Sequence, residues 1–296
     1  MNSMIYKKKT PLLLFLIPAF LFLSVFLYYP FVQNIINSFL EISGLGTAAE
    51  GGNDPWYLNY LKMLSDPNMV TALTNPLYLT VSTILCQVGI ALVLALLVDG
   101  TRAGAQFFRT VYFFPIVISA TALGLLFNLI FLYNGGMLNQ LLQNVFGAMD
   151  NIDWKDTEHY LGTMLTPVMW QYVGFYFVIL VTGLNNISPE LYEAAEIDGA
   201  NGWKRTRYIT LPLLRNVLST CLVLAITGAL KVFDLPWVMM GAGIPMDQSW
   251  LTGTYMYNQA FLRGDVDYSS AIAVVIVVLG VVLAQLANKV FAQKDY

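Results

Sequence analysis

The stretch "EAAEIDGANGWKRTRYITLP", residues 193–212, is the most charged run of the chain. Three acids, Glu193, Glu196 and Asp198, are followed by three bases, Lys204, Arg205 and Arg207. The surroundings are of another kind. The chain is 57% hydrophobic and 11% charged, with a mean hydropathy of +0.62. Soluble domains carry about 25% charged residues. A polar segment inside such a chain marks a place where it leaves an apolar solvent and meets something else.

That solvent is lipid. A membrane-spanning helix needs about 20 mostly apolar residues. Six segments qualify, roughly Leu12–Phe39, Leu77–Val98, Val111–Leu132, Met164–Leu184, Leu213–Phe233 and Ser270–Phe291. The expected fold is an all-α polytopic membrane protein, a single domain over residues 1–296. The first segment follows Lys7, Lys8 and Lys9. It is too long for a signal-peptide core and has no small-residue cleavage site, so it reads as an uncleaved span. Pro18 and Pro30 are tolerable there because neighbouring helices can compensate for lost backbone bonds.

Lys and Arg set the orientation. With the N-terminus inside, the cytoplasmic side holds Lys7, Lys8, Lys9, Arg102, Arg109, Lys204, Arg205, Arg207, Arg215, Lys289 and Lys294. The outer side holds only Lys62, Lys155, Lys231 and Arg263. This places both termini and the 193–212 stretch in the cytoplasm. The outer loops are longer, and Asp150, Asp153, Asp156 and Glu158 crowd one of them, as a solvated face or a docking surface for an external partner.

Several functions are excluded by what the residues offer. No basic stripe invites nucleic acid. Cys86 and Cys221 lie in apolar runs and read as buried hydrophobes, not a disulfide framework. The single histidine, His159, has no ligand cluster, so no metal site is expected. There is no phosphate-binding G-x-x-x-x-G-K-[ST] motif and no catalytic constellation. The chain reads as a non-enzyme without a cofactor of its own.

Within the polar stretch, Ser188 can cap a helix, and Pro189 suits its first turn. Glu190 and Glu193 favour its N-terminal dipole, and Gly199 can stop it. The expected helix is Pro189–Asp198, about three turns. Leu191, Ala194, Ala195 and Asp198 share a face at spacings of three and four. So short a helix is marginal alone in water and needs a groove or surface to lie on. From the residues alone, lipid headgroups contacting the bases remain an alternative. Leu211-Pro212 then turns the chain back into the fifth span.

The pattern resembles the cytoplasmic signature loop of permeases of binding-protein-dependent ATP-binding-cassette importers. It is carried by Glu193, Ala194, Ala195, Gly199, Ile209, Leu211 and Pro212. Thr206 and Asn216 depart from it, where the family often has an aromatic and a proline. "LYYPFVQNIINSF", "FFRTVYFFPIVIS", "ISPELYEAA", "LKVFDLPWVMMGAGIP" and "DVDYSSAIAVV" resemble the carbohydrate-uptake branch, the maltose, multiple-sugar and glycerol-phosphate permeases. The likeness runs from the first span to the last.

The resemblance implies a sugar-importing permease in a bacterial cell membrane, working by alternating access. Its partners would be a second homologous permease, two cassette ATPases carrying ATP and Mg, and an extracytoplasmic sugar-binding protein. Loop 188–212 would be the coupling loop, with Leu191, Glu193, Ala194, Ala195, Asp198 and Gly199 at the ATPase. Ionisable groups in spans mark pathways. Thr227, Lys231 and Asp234 are spaced for one helical face, and the resemblance points to the same positions as cavity-facing. It adds Trp170, Tyr172 and Phe175, with Gln171 supplying a donor and an acceptor. Lys231 and Asp234 could instead pair with each other, and the aromatics could be headgroup anchors. The competing function is an ion-gradient-driven carrier or a membrane scaffold. A carrier should show repeated halves and buried coupling acids, and neither stands out in the sequence.

Overall fold

The computed structural model describes residues 9–99, 105–147 and 150–291. Lys7, Lys8, Arg102 and Lys294, used for the orientation, lie outside them. Among the described residues the fold is helical apart from one two-residue antiparallel pairing, β1 (Leu40–Glu41) with β2 (Gly51–Gly52). Four helices among the described residues are long and apolar enough to cross a membrane: α1 (Leu13–Asn37), α3 (Pro67–Val98), α7 (Tyr160–Asn185) and α13 (Val266–Ala287). Two bent pairs bring the number to six where each pair is counted as one span. These are α4 (Gln106–Val117) with α5 (Ala120–Ile130), at 92°, and α9 (Gly202–Leu213) with α10 (Arg215–Lys231), at 65°. Shorter helices are α2 (Leu58–Ser65), α6 (Met137–Phe146), α8 (Pro189–Ile197), α11 (Asp234–Met240) and α12 (Thr252–Tyr257). The protein is an all-α, multi-pass membrane protein.

Where a single third span was expected over 111–132, the chain turns sharply. Pro115 withholds a backbone donor near the end of α4. Ser119 is extended, and its Oγ accepts the Ala122 N–H at 3.2 Å, capping a new helix instead of continuing the old one. The 65° bend follows Pro212, whose missing N–H leaves the Tyr208 carbonyl without its helical donor.

The chain forms two compact units. One comprises the segments up to Ser65 and Met256–Val275. Its polar core is Ser38 and Asn59, both fully buried. Asn59 Nδ2 donates to the Ser38 carbonyl at 3.2 Å and to Asp267 Oδ2 at 3.3 Å. None of the best apolar window of α1 is buried inside the chain, so its side chains are left for lipid or another subunit.

The other unit, Asp66–Tyr255 with the chain from Ile276, holds the main core. Val88, Ala91 and Ala95 of α3 pack with Tyr176, Phe177, Leu180 and Leu184 of α7 and with Cys221 and Ala225 of α10. Cys221 is thus the buried hydrophobe expected of it, whereas Cys86 is exposed. Helices α4 and α7 touch backbone to side: a Cβ on Gly174 would run into the Tyr112 carbonyl. Backbone cannot yield there as a flexible side chain could. Gly174→Leu is expected to cost about 3 kcal/mol or more through overpacking. It should appear as a lowered Tm and poor recovery from mild detergent.

The acidic loop between α6 and α7 is tied largely to itself. Asp156 Oδ1 accepts the backbone N–H groups of Glu158 and His159 at 3.0 and 2.8 Å and lies 2.8 Å from His159 Nδ1. Asn139 is buried beneath, donating to the carbonyls of Tyr133 and Ile152 and accepting from Trp154 Nε1 at 3.1 Å. Lys155 Nζ donates to Asn128 Oδ1 at 2.7 Å and to the Met239 carbonyl at 2.8 Å. Burial holds this ammonium below the usual lysine range, against the pull of Asp153.

Candidate functional site

The polar stretch folds as helix α8, a tight turn, and the arm α9. Ser188 is extended at the N-cap as expected, but its side chain makes no capping bond. Pro189 has no N–H that needs a cap acceptor, and Glu190 in the first turn suits the dipole. The C-terminus is a Schellman motif. Ala200 N donates to the Ala195 carbonyl at 2.8 Å and Gly199 N to the Glu196 carbonyl at 3.0 Å. Gly199 sits at φ +75°, the left-handed conformation this motif needs. The helix therefore ends at Ile197, with Asp198 as its cap.

The faces of α8 differ from the sequence expectation in one respect. Leu191, Glu193, Ala194 and Asp198 are exposed. Ala195 is 7% exposed and faces its own chain, not outward with its neighbours. The reason is the return of α9 alongside. Tyr192 Oη lies 3.2 Å from Thr210 Oγ1, Arg205 sits 5.8 Å over the Tyr192 ring, and Arg205 forms an ion pair with Glu196. The inward stripe of α8 is spent on this contact. What remains outside is a short acidic face with small and apolar side chains among the carboxylates.

A cavity of about 300 Å³ lies between α3, α7, α10 and α11. Of the residues expected there, Gln171, Tyr172, Phe175, Lys231 and Asp234 line it. Trp170 and Thr227 do not. Trp170 turns its ring edge against Phe127, with centroids 5.9 Å apart. Thr227 Oγ1 returns its proton to the Val223 carbonyl of its own helix at 2.8 Å. Nor do Thr227, Lys231 and Asp234 share one helix face. Helix α10 stops at Lys231, Val232 is extended, and Asp234 opens α11. Pro236 explains the break, since it cannot donate to the Val232 carbonyl as a continuing helix requires. Lys231 then ends one helix and Asp234 begins the next, each with the charge its dipole favours. No ion pair joins them among the described residues.

The wall also holds Thr83, Gln87 and Tyr176, which the sequence reading passed over. Gln87 Nε2 donates to the Val168 carbonyl at 2.8 Å, and Gln171 Nε2 to the Ile118 carbonyl at 3.3 Å. A glutamine buried in an apolar span is the signal that could have found Gln87, since such a group is costly without a purpose or a partner. Gly228 leaves one side open, with nothing within 4 Å of the place a Cβ would take. The cavity thus offers aromatic faces, amides, the hydroxyls of Thr83, Tyr172 and Tyr176, and one charge of each sign. It has the means to bind a polar molecule and no group arranged to transform one.

The family described as binding-protein-dependent transport system inner membrane component matches residues 59–294. The chain belongs to this family. The permease is 34% identical over 290 residues to the probable ABC transporter permease protein YurN of Bacillus subtilis (strain 168), with 94% of each chain covered. It is 29% identical to the arabinooligosaccharides transport system permease protein AraP of the same strain, covering 97% of this chain and 90% of AraP. It is 28% identical to the lactose transport system permease protein LacF of Rhizobium radiobacter, covering 92% and 91%. Its fold matches a chain of a bacterial ABC transporter involved in the import of the acidic polysaccharide alginate, with TM-score 0.84, 21% identity and 98% of both chains covered. As such a component the permease is a transport subunit and not an enzyme.

Proposed function

We propose that the permease carries carbohydrate into the cytoplasm as one half of an ATP-driven importer. The observation behind this reading is the pairing, in one chain of this family, of an aromatic- and amide-lined cavity with the exposed acidic face of α8. Sugars suit the cavity because aromatic rings stack on their C–H faces while Gln171 and its neighbours bond hydroxyls. Relatives named for arabinooligosaccharides and lactose support the substrate class.

In this reading both termini and α8 lie in the cytoplasm of a bacterial cell. A homologous second permease covers the open side of the cavity. Two cassette ATPases, which carry ATP and Mg, receive α8 of each permease, with Leu191, Glu193, Ala194 and Asp198 at the contact. Ala195 and Gly199 act from behind, through packing and turn geometry. A solute-binding protein delivers sugar outside; one structural neighbour is a transporter crystallised with an alginate pentasaccharide-bound periplasmic protein. ATP binding draws the ATPases together, α8 follows, and the cavity opens outward. Hydrolysis returns it inward.

The test is uptake in proteoliposomes holding the permease with a partner permease, a cassette ATPase and a sugar-binding protein from the same cell. Labelled oligosaccharide is expected to accumulate only with internal ATP and external binding protein. Accumulation driven by an ion gradient without ATP would transfer the protein to the secondary carriers.

A further inference from the structure

Helix α9 carries a second face that the contact with α8 leaves unused. Its inward side is Arg205, Thr206, Ile209 and Thr210, half-buried or buried. Arg205 and Thr210 hold Tyr192 and Glu196 of α8, so that side is turned toward α8. Trp203, Lys204, Arg207 and Tyr208 fall at i, i+1, i+4 and i+5 and form the opposite side. All four are exposed, and Trp203 and Tyr208 are each 74% so. Neither Lys204 nor Arg207 has an ion-pair partner among the described residues.

The position of this face indicates what it meets. Helix α9 is the bent-off arm of a span, running at 65° to α10. With α10 standing in the bilayer at an ordinary tilt, the arm lies closer to the membrane plane than to its normal. It joins the span through Leu213, an exposed apolar residue at the bend. Two aromatics with polar edges flank two free cations on a helix at this depth. Indole and phenol rings settle at the headgroup level, and Lys and Arg near the surface are drawn to anionic lipid.

We propose that Trp203, Lys204, Arg207 and Tyr208 form an anchor for anionic phospholipid headgroups. Lys204 and Arg207 bind phosphate while the two rings settle beside them at the headgroup level. The anchor fixes the height of α9, and through Arg205, Thr210 and Tyr192 it fixes the height of α8. The loop is thus divided by chemistry: the acidic face of α8 turns to protein and the basic, aromatic face of α9 to lipid. This inference depends on α10 being a span, and not on the cargo or the ATPase.

The experiment uses the full permease in nanodiscs of phosphatidylcholine doped with equal amounts of either phosphatidylglycerol or phosphatidylcholine brominated near the headgroup. The emission of Trp203 is taken as wild type minus Trp203→Phe. It is expected to be quenched several-fold more by the brominated phosphatidylglycerol. That preference should fall up to about fivefold in Lys204→Gln or Arg207→Gln and be lost in the double variant Lys204→Gln/Arg207→Gln. Tyr208→Trp in the Trp203→Phe background places a second reporter on the same face and must show the same preference. Quenching equal for the two lipids, or unchanged in the double variant, would overturn the anchor. So would a Trp203 that neither lipid reaches, which would mean that protein covers this face.

Discussion

Reversing the charge of Glu193 is expected to leave the permease in the membrane and to silence uptake. Glu193 is exposed in the middle of α8 and has no partner in the described chain that would be lost with it. Glu193→Lys should therefore fold. What changes is the charge that α8 would present to the proposed ATPase partner. A misplaced like charge at an interface costs several kcal/mol, so binding and coupled transport should fall on the order of 100-fold. Gly199→Val should reach the same end by shape. A β-branched residue at φ +75° costs about 1–3 kcal/mol, and the Schellman turn that sets α8 against α9 would open. Both variants are checked by membrane content on a blot beside ATP-dependent uptake. Uptake near wild type in Glu193→Lys would remove α8 from the coupling path.

The second large effect is expected at Gly228. It lines the cavity, and nothing stands within 4 Å of its missing Cβ, so an added side chain meets space and not backbone. Gly228→Trp should be accommodated by the fold while its indole takes up much of a cavity of about 300 Å³. Glycine to a bulkier residue in a helix interior carries no propensity penalty. The predicted outcome is a permease with wild-type Tm and intact subunit association whose uptake falls at least tenfold. Gly174→Leu is the contrasting case, a glycine whose replacement meets backbone and loses the fold itself. If Gly228→Trp transported normally, the route of the substrate would lie elsewhere.

The contrast between these glycines shows what was legible in the sequence. The spans were readable because a run of about 20 apolar residues has one use. Helix α8 was readable because Ser188, Pro189, the early acids and Gly199 all mark its ends, and the Schellman bonds agree with that choice of glycine. The bends were not readable in the same way. Pro115 and Pro236 each sit where a membrane helix can tolerate proline. Only tertiary packing determines whether the chain kinks or breaks there. That missed break separated Asp234 from the helix of Thr227 and Lys231. The burial of Ala195 was not readable because periodicity lists which residues share a face without telling what covers it. Thr83 and Gln87 were missed because two polar residues hardly alter the hydropathy of a span. Their value lies in where α3 places them.

The most direct measurement is an affinity pull-down of the tagged permease from mildly solubilised membranes, wild type beside Glu193→Lys, with the co-purifying chains identified. The account predicts that wild type brings down a second permease and a cassette ATPase, and that Glu193→Lys keeps the permease partner while losing the ATPase. Wild type arriving alone through several mild detergents, or an ATPase retained equally by Glu193→Lys, would contradict it.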